Sequence, residues 1–354
     1  MSIGARPPLA FTRRSLLVTG GAGFIGSAYV RLARRRRPEQ PVVNVDALTY
    51  AGNLENLRDL EGDPLHQFVR GDVRDGAAMR ELMRRHAIDA VVNFAAESHV
   101  DRSIESAEPF LTTNVGGTLA LLEAARAAGV RRFIQISTDE VYGTRAAGAS
   151  DEASPLAPRN PYAASKAAAE GFVMAFHQTH GLNTVIARCC NNYGPYQFPE
   201  KLIPLMILNA IDGQPLPVYG DGLQVRDWIH VDDHCEAVDA ILAGGVAGEV
   251  YNVGVSDGRR NLDVVHLIVR LTGRDDSLIR HVPDRPGHDR RYAMHTGKIR
   301  AALGWRPRRA FDEGLAETVD WYRANRRWTD RVRSGAYRQY YDRQYAARMA
   351  AGAP

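Results

Sequence analysis

The chain has 354 residues, 45% of them hydrophobic, enough to bury a large core as one α/β unit or as a core with a smaller lobe. Acidic and basic residues nearly cancel at 41 and 45, and the net charge of +4 is small for this length, so the charge balance gives no ground for a nucleic-acid binder. No run approaches about 18 apolar residues and Met1 to Arg14 holds no apolar signal core, so a cytoplasmic protein without membrane spans is expected.

Leu16-Leu17-Val18-Thr19 reads as a short strand, and Gly20-Gly21-Ala22-Gly23-Phe24-Ile25-Gly26 follows at once. The glycines fit a dinucleotide loop as Gly21, Gly23 and Gly26 or as Gly20, Gly23 and Gly26. Either spacing allows a tight turn, close approach of backbone to a pyrophosphate and close helix–strand packing. A helix from Phe24 to Arg36 then aims its N-terminal amides at phosphates. Arg34 to Arg37 solvates its C-terminus, where positive charge is favoured; an anion-binding patch is the alternative. The next strand, Pro41 to Val45, ends at Asp46. A carboxylate there accepts hydrogen bonds from the adenosine ribose and repels a 2′-phosphate, so NAD is expected rather than NADP. A turn-capping role for Asp46 is the bland alternative.

Phe68-Val69 leads to Asp72, placed to meet the adenine. A helix from Gly76 to His86 and a strand from Ala90 to Phe94 follow. Ala95-Ala96-Glu97-Ser98 then offers small residues where backbone can lie against the cofactor. A long helical pattern, Pro109 to Ala128, precedes a strand beginning at Arg132. Strands alternating with helices at this interval predict a Rossmann-type, doubly wound parallel sheet.

The strand Phe133 to Ser137 stops abruptly at Thr138-Asp139-Glu140. Ligands in open α/β sheets sit outside the carboxyl ends of the strands, so these three polar groups should reach the mouth of a cleft. Further on, Tyr162 and Lys166 share one helical face, one turn apart. A tyrosine ordinarily titrates near 10, and a neighbouring ammonium and the positive nicotinamide ring of NAD both favour the phenolate, so Tyr162 is expected to have a depressed pKa and to take a proton from a substrate hydroxyl. Thr138 can hold that hydroxyl. Asp139 and Glu140 suggest a further step, because two carboxyl groups at one cleft divide into an acid and a base. A solvated acidic turn is the competing reading.

These residues resemble the extended short-chain dehydrogenase/reductases, and within them the dTDP-glucose 4,6-dehydratases. The likeness runs through Thr19 to Gly26, Asp46 to Leu54, Ala95 to Ser103, Ser137 to Gly143, Tyr162 to Lys166, Asn191 to Leu202, Arg226 to Trp228 and Pro286 to Tyr292. It implies oxidation of a glucose 4-hydroxyl with Tyr162 as base, removal of the C5 proton by Glu140 and protonation of the departing C6 hydroxyl by Asp139. Reduction at C6 then gives a 4-keto-6-deoxy sugar nucleotide and regenerates a tightly bound NAD. By the same resemblance Phe24, Ile25, Leu48, Thr49, Val73, Phe94, Ser98, Thr113 and Asn192 join the cofactor cleft. Ser98, Asn191, Lys201, Leu202, Arg226 and Asn261 hold the sugar nucleotide, with Asp289 and Tyr292 closing over it. Arg226 could offer the diphosphate a bidentate fork.

From Thr184 to Arg188 the chain reads as a strand, and then as loop through Pro199. Pro217 to Gly222, containing Tyr219, reads as strand and tight turn lining a nucleoside pocket. The Rossmann core is expected over 14–190, with later segments returning to it, and a sugar-nucleotide lobe over 191–345; 1–13 and 346–354 are expected to be flexible. Two departures from the family pattern, Gly254 to Gly258 and His295, leave the base of the nucleotide open between dTDP, UDP and CDP. Cys189, Cys190 and Cys235 show no metal-binding spacing and read as buried thiols in a reducing compartment. The aromatic and basic tail from Trp321 to Tyr345 reads as packed on the small lobe, with nucleic-acid binding as the alternative. A homodimer through the two long helices, Pro109 to Ala128 and Pro161 to His180, is implied by the resemblance. The competing functions are a sugar-nucleotide 4-epimerase or decarboxylase, which need no Asp139 and Glu140, and a non-catalytic NAD-sensing module.

Overall fold

A computed structural model describes residues 15–334, 341 and 347–350. The ends expected to be flexible, apart from 347–350, and the tail from 335 to 345, apart from Tyr341, lie outside the described residues. The fully buried strand β1 (Ser15–Thr19) feeds through the glycine turn into helix α1 (Phe24–Arg36), which has the bounds expected from sequence. Strand β2 (Val42–Asp46), strand β3 (His66–Arg70), helix α2 (Gly76–Arg85) and strand β4 (Ile88–Asn93) continue the alternation. Asp75 starts α2 by accepting the N–H of Ala78, a first-turn donor with no partner inside the helix.

The helix expected from Pro109 to Ala128 is not uniform. After α3 (Val100–Glu105) and α4 (Glu108–Phe110) comes a π-helical stretch, Leu111–Gly117, and regular α-helix resumes as α5 (Thr118–Ala128). The wider turn is held by Asn114, whose amide accepts the N–H of Glu97 at 2.8 Å and donates to Glu97 O at 3.0 Å and Ser165 Oγ at 2.9 Å. A π turn inside a helix is an irregularity found mostly at functional sites, and this one borders the cleft through Thr113.

Strand β5 (Arg132–Thr138) is buried along its whole length, helix α6 (Pro161–His180) starts at an Asn160 cap with proline in first position, and strand β6 (Thr184–Cys189) follows. Asn191–Tyr193, expected as loop, is a short strand, β7. It pairs with residues 228–230, and that partner overrides its loop-like composition. Helix α7 (Leu202–Ile211), strands β8 (Leu216–Tyr219) and β9 (Val225–His230), helix α8 (Val231–Gly244) and strand β10 (Val250–Val253) come next. Strand β11 (Gly258–Arg260), helix α9 (Asn261–Thr272), strand β12 (Ile279–Val282) and helices α10 (Gly297–Leu303), α11 (Phe311–Ala324) and α12 (Arg326–Val332) follow.

The seven-stranded sheet has the order β10-β6-β5-β4-β1-β2-β3, and its pairings are parallel. Chain direction across the sheet reverses between β1 and β4, the switch point where such sheets bind ligands. Separate apolar clusters include Val18 with Tyr29 and Leu17 with Leu121. Smaller sheets, β11-β9-β7 and β12-β8, accompany a third cluster containing residues of α7, α9 and α11. Tyr322 and Trp328 are buried in that cluster and Trp321 packs on it, so the described aromatic part of the tail is packed.

Candidate active site

At the switch point lies a cleft of about 490 Å³. Gly20, Gly23, Phe24, Ile25, Gly26, Asp46, Thr49, Asp72, Val73, Phe94, Ala95, Ala96, Ser98, Thr113 and Asn192 line it, as do Tyr162 and Lys166. Gly20 has φ +67°, and a Cβ there would stand 2.7 Å from Ala95 N; at Gly26 a Cβ would run into Gly20 O. The turn thus needs Gly20 for its backbone and Gly26 for helix–strand contact, and Gly21 also has no room for a side chain against Asn44, so both spacings are served. Asp46 caps the turn with its carboxylate and stands at the cleft edge. Its Oδ2 accepts Ala22 N–H at 3.0 Å and its Oδ1 accepts Leu48 N–H at 2.8 Å, while the residue also borders the cleft. Leu48 itself does not line the cleft, contrary to expectation. Its backbone is held at φ +54° and its side chain packs on the apolar core.

The glycine cradle, the amides of α1 and the carboxylate at the end of β2 form a donor and acceptor set that fits a dinucleotide.

Thr138 ends β5 and caps a single 3₁₀ turn, Asp139–Tyr142: its Oγ1 accepts Glu140 N–H at 3.2 Å and donates to Asp139 Oδ1 at 3.3 Å. Asp139 is 3% exposed, and its Oδ2 is shielded from solvent without a hydrogen-bond partner. Burial first, and the neighbouring Glu140 charge second, push its carboxyl well above the usual range, which favours the protonated acid. Glu140 Oε2 accepts from Asn160 Nδ2 and from the Tyr292 hydroxyl, both at 3.2 Å.

A carboxyl with a raised folded-state pKa contributes most stability below its unfolded value, near 3.9, and loses it as pH rises through the folded value. Asp139→Asn should therefore melt higher than the wild type at pH 7 while losing turnover. A rise on the order of 2–4 °C per kcal/mol is expected by scanning calorimetry, shrinking as pH falls toward about 4.

Protein groups alone do not depress the Tyr162 pKa. Its hydroxyl is hydrogen-bonded to Thr138, but burial, then the Glu140 and Cys189 charges, push the phenol well above its usual value. Lys166 does not offset this, because its ammonium donates to Ile136 O at 2.6 Å, and burial lowers its own pKa to about 8. Sequence spacing put the two on one face, and the fold turned the lysine toward the end of β5.

On the other side of the cleft stand Asn191, Lys201, Leu202, Pro217, Tyr219, Arg226 and Asn261. Asn191 Oδ1 and Asn261 Oδ1 are buried without partners, and Lys201 Nζ donates to Ser98 O at 2.6 Å. The Arg226 fork is partly occupied: Nη1 donates to Val225 O and Nη2 to Asp289 O, both at 2.8 Å, with the guanidinium 4.2 Å from the centre of the Tyr292 ring. Asp289 and Tyr292 do not line the cleft or close over it. They are 1% and 3% exposed and lie behind Glu140, joined by a Tyr292 hydroxyl bond to Asp289 Oδ2 at 2.8 Å.

Among the charged and titratable cleft-lining residues that sequence reasoning missed are Asp101, Arg285 and His288. Arg285 Nη1 pairs with Asp101 Oδ1 at 2.8 Å, and Tyr219 donates to Asp101 Oδ2 at 2.9 Å. The signal was present, since Asp101 lies inside one family segment, His288 inside another and Arg285 beside it. The altered loop at 254–258 is held from beneath by Asp227, which accepts the N–H groups of Val255 and Ser256 at 2.9 Å and of Asp257 at 3.2 Å. His295 is exposed and away from the cleft lining.

A family model described as GDP-mannose 4,6 dehydratase matches residues 17–318. A dTDP-glucose 4,6-dehydratase of Xanthomonas campestris pv. campestris (strain B100) is 54% identical over 341 residues, covering 91% of this chain and 97% of that one. A solved dTDP-glucose 4,6-dehydratase from Streptomyces venezuelae, with NAD bound, is similar at TM-score 0.87 and 51% identity over 90% of this chain and 99% of its own. A UDP-glucose 4-epimerase of Thermus thermophilus in complex with NAD is similar at TM-score 0.82 and 33% identity, over 88% of this chain and 99% of that one.

Proposed function

This chain belongs to the GDP-mannose 4,6-dehydratase family, and from that premise we propose that it converts dTDP-glucose to the 4-keto-6-deoxy sugar nucleotide. One observation carries the choice of reaction: a buried acid, Asp139, stands beside Glu140 in the cleft that holds Tyr162. A 4-epimerase or decarboxylase has no use for that acid, and a non-catalytic NAD-sensing module has no use for Tyr162 or Lys166.

Bound NAD supplies positive ring charge, which favours a phenolate, and carries two electrons from the sugar's C4 to its C6. Tyr162 takes the proton of the 4-hydroxyl, and Thr138 orients that hydroxyl. Glu140 takes the C5 proton, made acidic by the adjacent ketone. Asp139 gives its proton to the C6 hydroxyl, which leaves as water, and Glu140 returns a proton to C5 as C6 is reduced. The two carboxyls differ in setting, one deeply buried and one half-exposed, and that difference supports the division into acid and base. Asn191, Lys201, Arg226 and Asn261 supply polar and cationic groups for the diphosphate and nucleoside, while Asp289 and Tyr292 act from behind Glu140.

Purified protein mixed with dTDP-, UDP- or CDP-glucose should develop the alkali absorbance of a 4-keto sugar, most rapidly with the dTDP sugar. A 4-epimer as the sole product would replace the dehydratase reading.

A homodimer belongs to the same reading. Leu111 is 60% exposed and Phe172 38%, apolar residues that a helix-to-helix contact would cover. Light scattering at micromolar concentration should give twice the chain mass; monomer alone would reject this. The three cysteines are free and buried, which supports a cytoplasmic setting, and no helix among the described residues is long and apolar enough to cross a membrane.

A further inference from the structure

We infer that Asn160 is a positioning residue for water elimination: one side-chain amide fixes both the helix that carries Tyr162 and the direction in which Glu140 points. The inference rests on the dehydratase reading above. Asn160 is 7% exposed and sits in extended backbone, φ −137° and ψ 160°, immediately before Pro161. Its Oδ1 accepts the N–H of Ala163 at 2.8 Å, capping α6, and its Nδ2 donates to Glu140 Oε2 at 3.2 Å. The amide has one workable orientation. Turned over, it would set its NH₂ against the Ala163 N–H and its oxygen against a carboxylate.

Glu140 has a second donor, the Tyr292 hydroxyl, also at 3.2 Å on Oε2. That phenol has one proton, and Asp289 Oδ2 lies closer to it, at 2.8 Å. Asp289 is in turn paired with Arg159 at 3.4 Å, the residue next to Asn160. Tyr292 is thus shared between two carboxylates, and Asn160 is the donor directed at Glu140 alone. Both donors meet Oε2, which leaves Oε1 as the oxygen able to take the C5 proton. Tyr162 lies two residues beyond Asn160, so a single cap sets the spacing between the base of the oxidation and the base of the elimination.

Two substitutions separate these roles, because Ser and Asp both cap helices well. Asn160→Ser keeps the cap and is too short to reach Glu140. Asn160→Asp keeps both the cap and the length, but replaces the donor with a like charge. After rapid mixing with dTDP-glucose, both variants should reduce their cofactor at close to the wild-type rate. They should then form 4-keto-6-deoxy product roughly ten- to a hundredfold more slowly, so that reduced nicotinamide accumulates. In Asn160→Asp the acid limb of the product-forming pH profile should also move to higher pH, because a second carboxylate disfavours ionisation of Glu140. The melting temperature of Asn160→Ser, which adds no charge, should stay near wild type. Wild-type rates for both half-reactions, or an equal loss of both with a lower melting temperature, would leave Asn160 as a helix cap and overturn the inference. Failure of the wild-type protein to dehydrate any of the three nucleotide sugars is a separate result, and it removes the dehydratase reading beneath.

Discussion

Tyr162→Phe should abolish the first oxidation, lowering turnover by roughly 10²–10⁴-fold, the usual worth of a positioned general base. The variant loses one oxygen and keeps the ring, whose edge-on contact with Phe110 at 6.3 Å between centroids is unaffected. The start of α6 is also preserved, because the Asn160 cap and Pro161 hold it independently. Its two neighbours Lys166 and Thr138 are poor substitutes as base. Lys166 donates to Ile136 O, and the Thr138 hydroxyl, bonded to Asp139 and Glu140 N–H, is far too weak an acid to ionise near neutral pH. The direct measurement is the absorbance of reduced nicotinamide on rapid mixing with dTDP-glucose. Wild-type cofactor reduction in the variant would remove Tyr162 as the base.

The ends of α1 and α6 were legible because their signals are local. A glycine turn precedes one, Asn160-Pro161 opens the other, and Gly181 at φ +66° closes it. The cleft was legible for a related reason: polar residues that follow buried parallel strands have few places to go except the carboxyl edge of the sheet. What stayed hidden depends on residues distant in sequence. The π turn at Leu111–Gly117 is held by Asn114 bonding to Glu97 and Ser165, and no periodicity encodes such a partner. Leu48 turned inward because Asp46 grips its N–H.

Spacing also said little about the setting of the Tyr162 phenol. One helical turn fixes the distance along α6, but the acidity of the phenol follows from how deeply the fold buries it and from where the lysine finds its acceptor. Tyr292 and Asp289 were assigned to a lid and lie instead behind Glu140, a difference of depth that residue order does not carry. The site is therefore more layered than its motifs suggest. Thr138, Asp139 and Glu140 reach the cleft on one strand end, and a second tier of Asn160, Tyr292, Asp289 and Arg159 stands behind Glu140.

Glu140→Gln should divide the reaction in two. The amide keeps the shape of the side chain and can still meet Asn160 and Tyr292, but it cannot take a proton from C5. Oxidation at C4 requires Tyr162 and Thr138, neither of which depends on ionised Glu140, so cofactor reduction should persist in the variant. It should be eased, because the Glu140 charge is the second cause holding the Tyr162 phenol up, after burial, and glutamine removes it. Water loss should fall by roughly 10²–10⁴-fold, and reduced nicotinamide should accumulate with the 4-keto sugar still carrying its C6 hydroxyl. Solvent deuterium supplies an independent readout, since a base that removes the C5 proton also exchanges it, and the variant should leave C5 unlabelled. Unchanged turnover, or full labelling at C5 in Glu140→Gln, would take this carboxylate out of the chemistry and leave Asp139 without the partner that makes elimination possible.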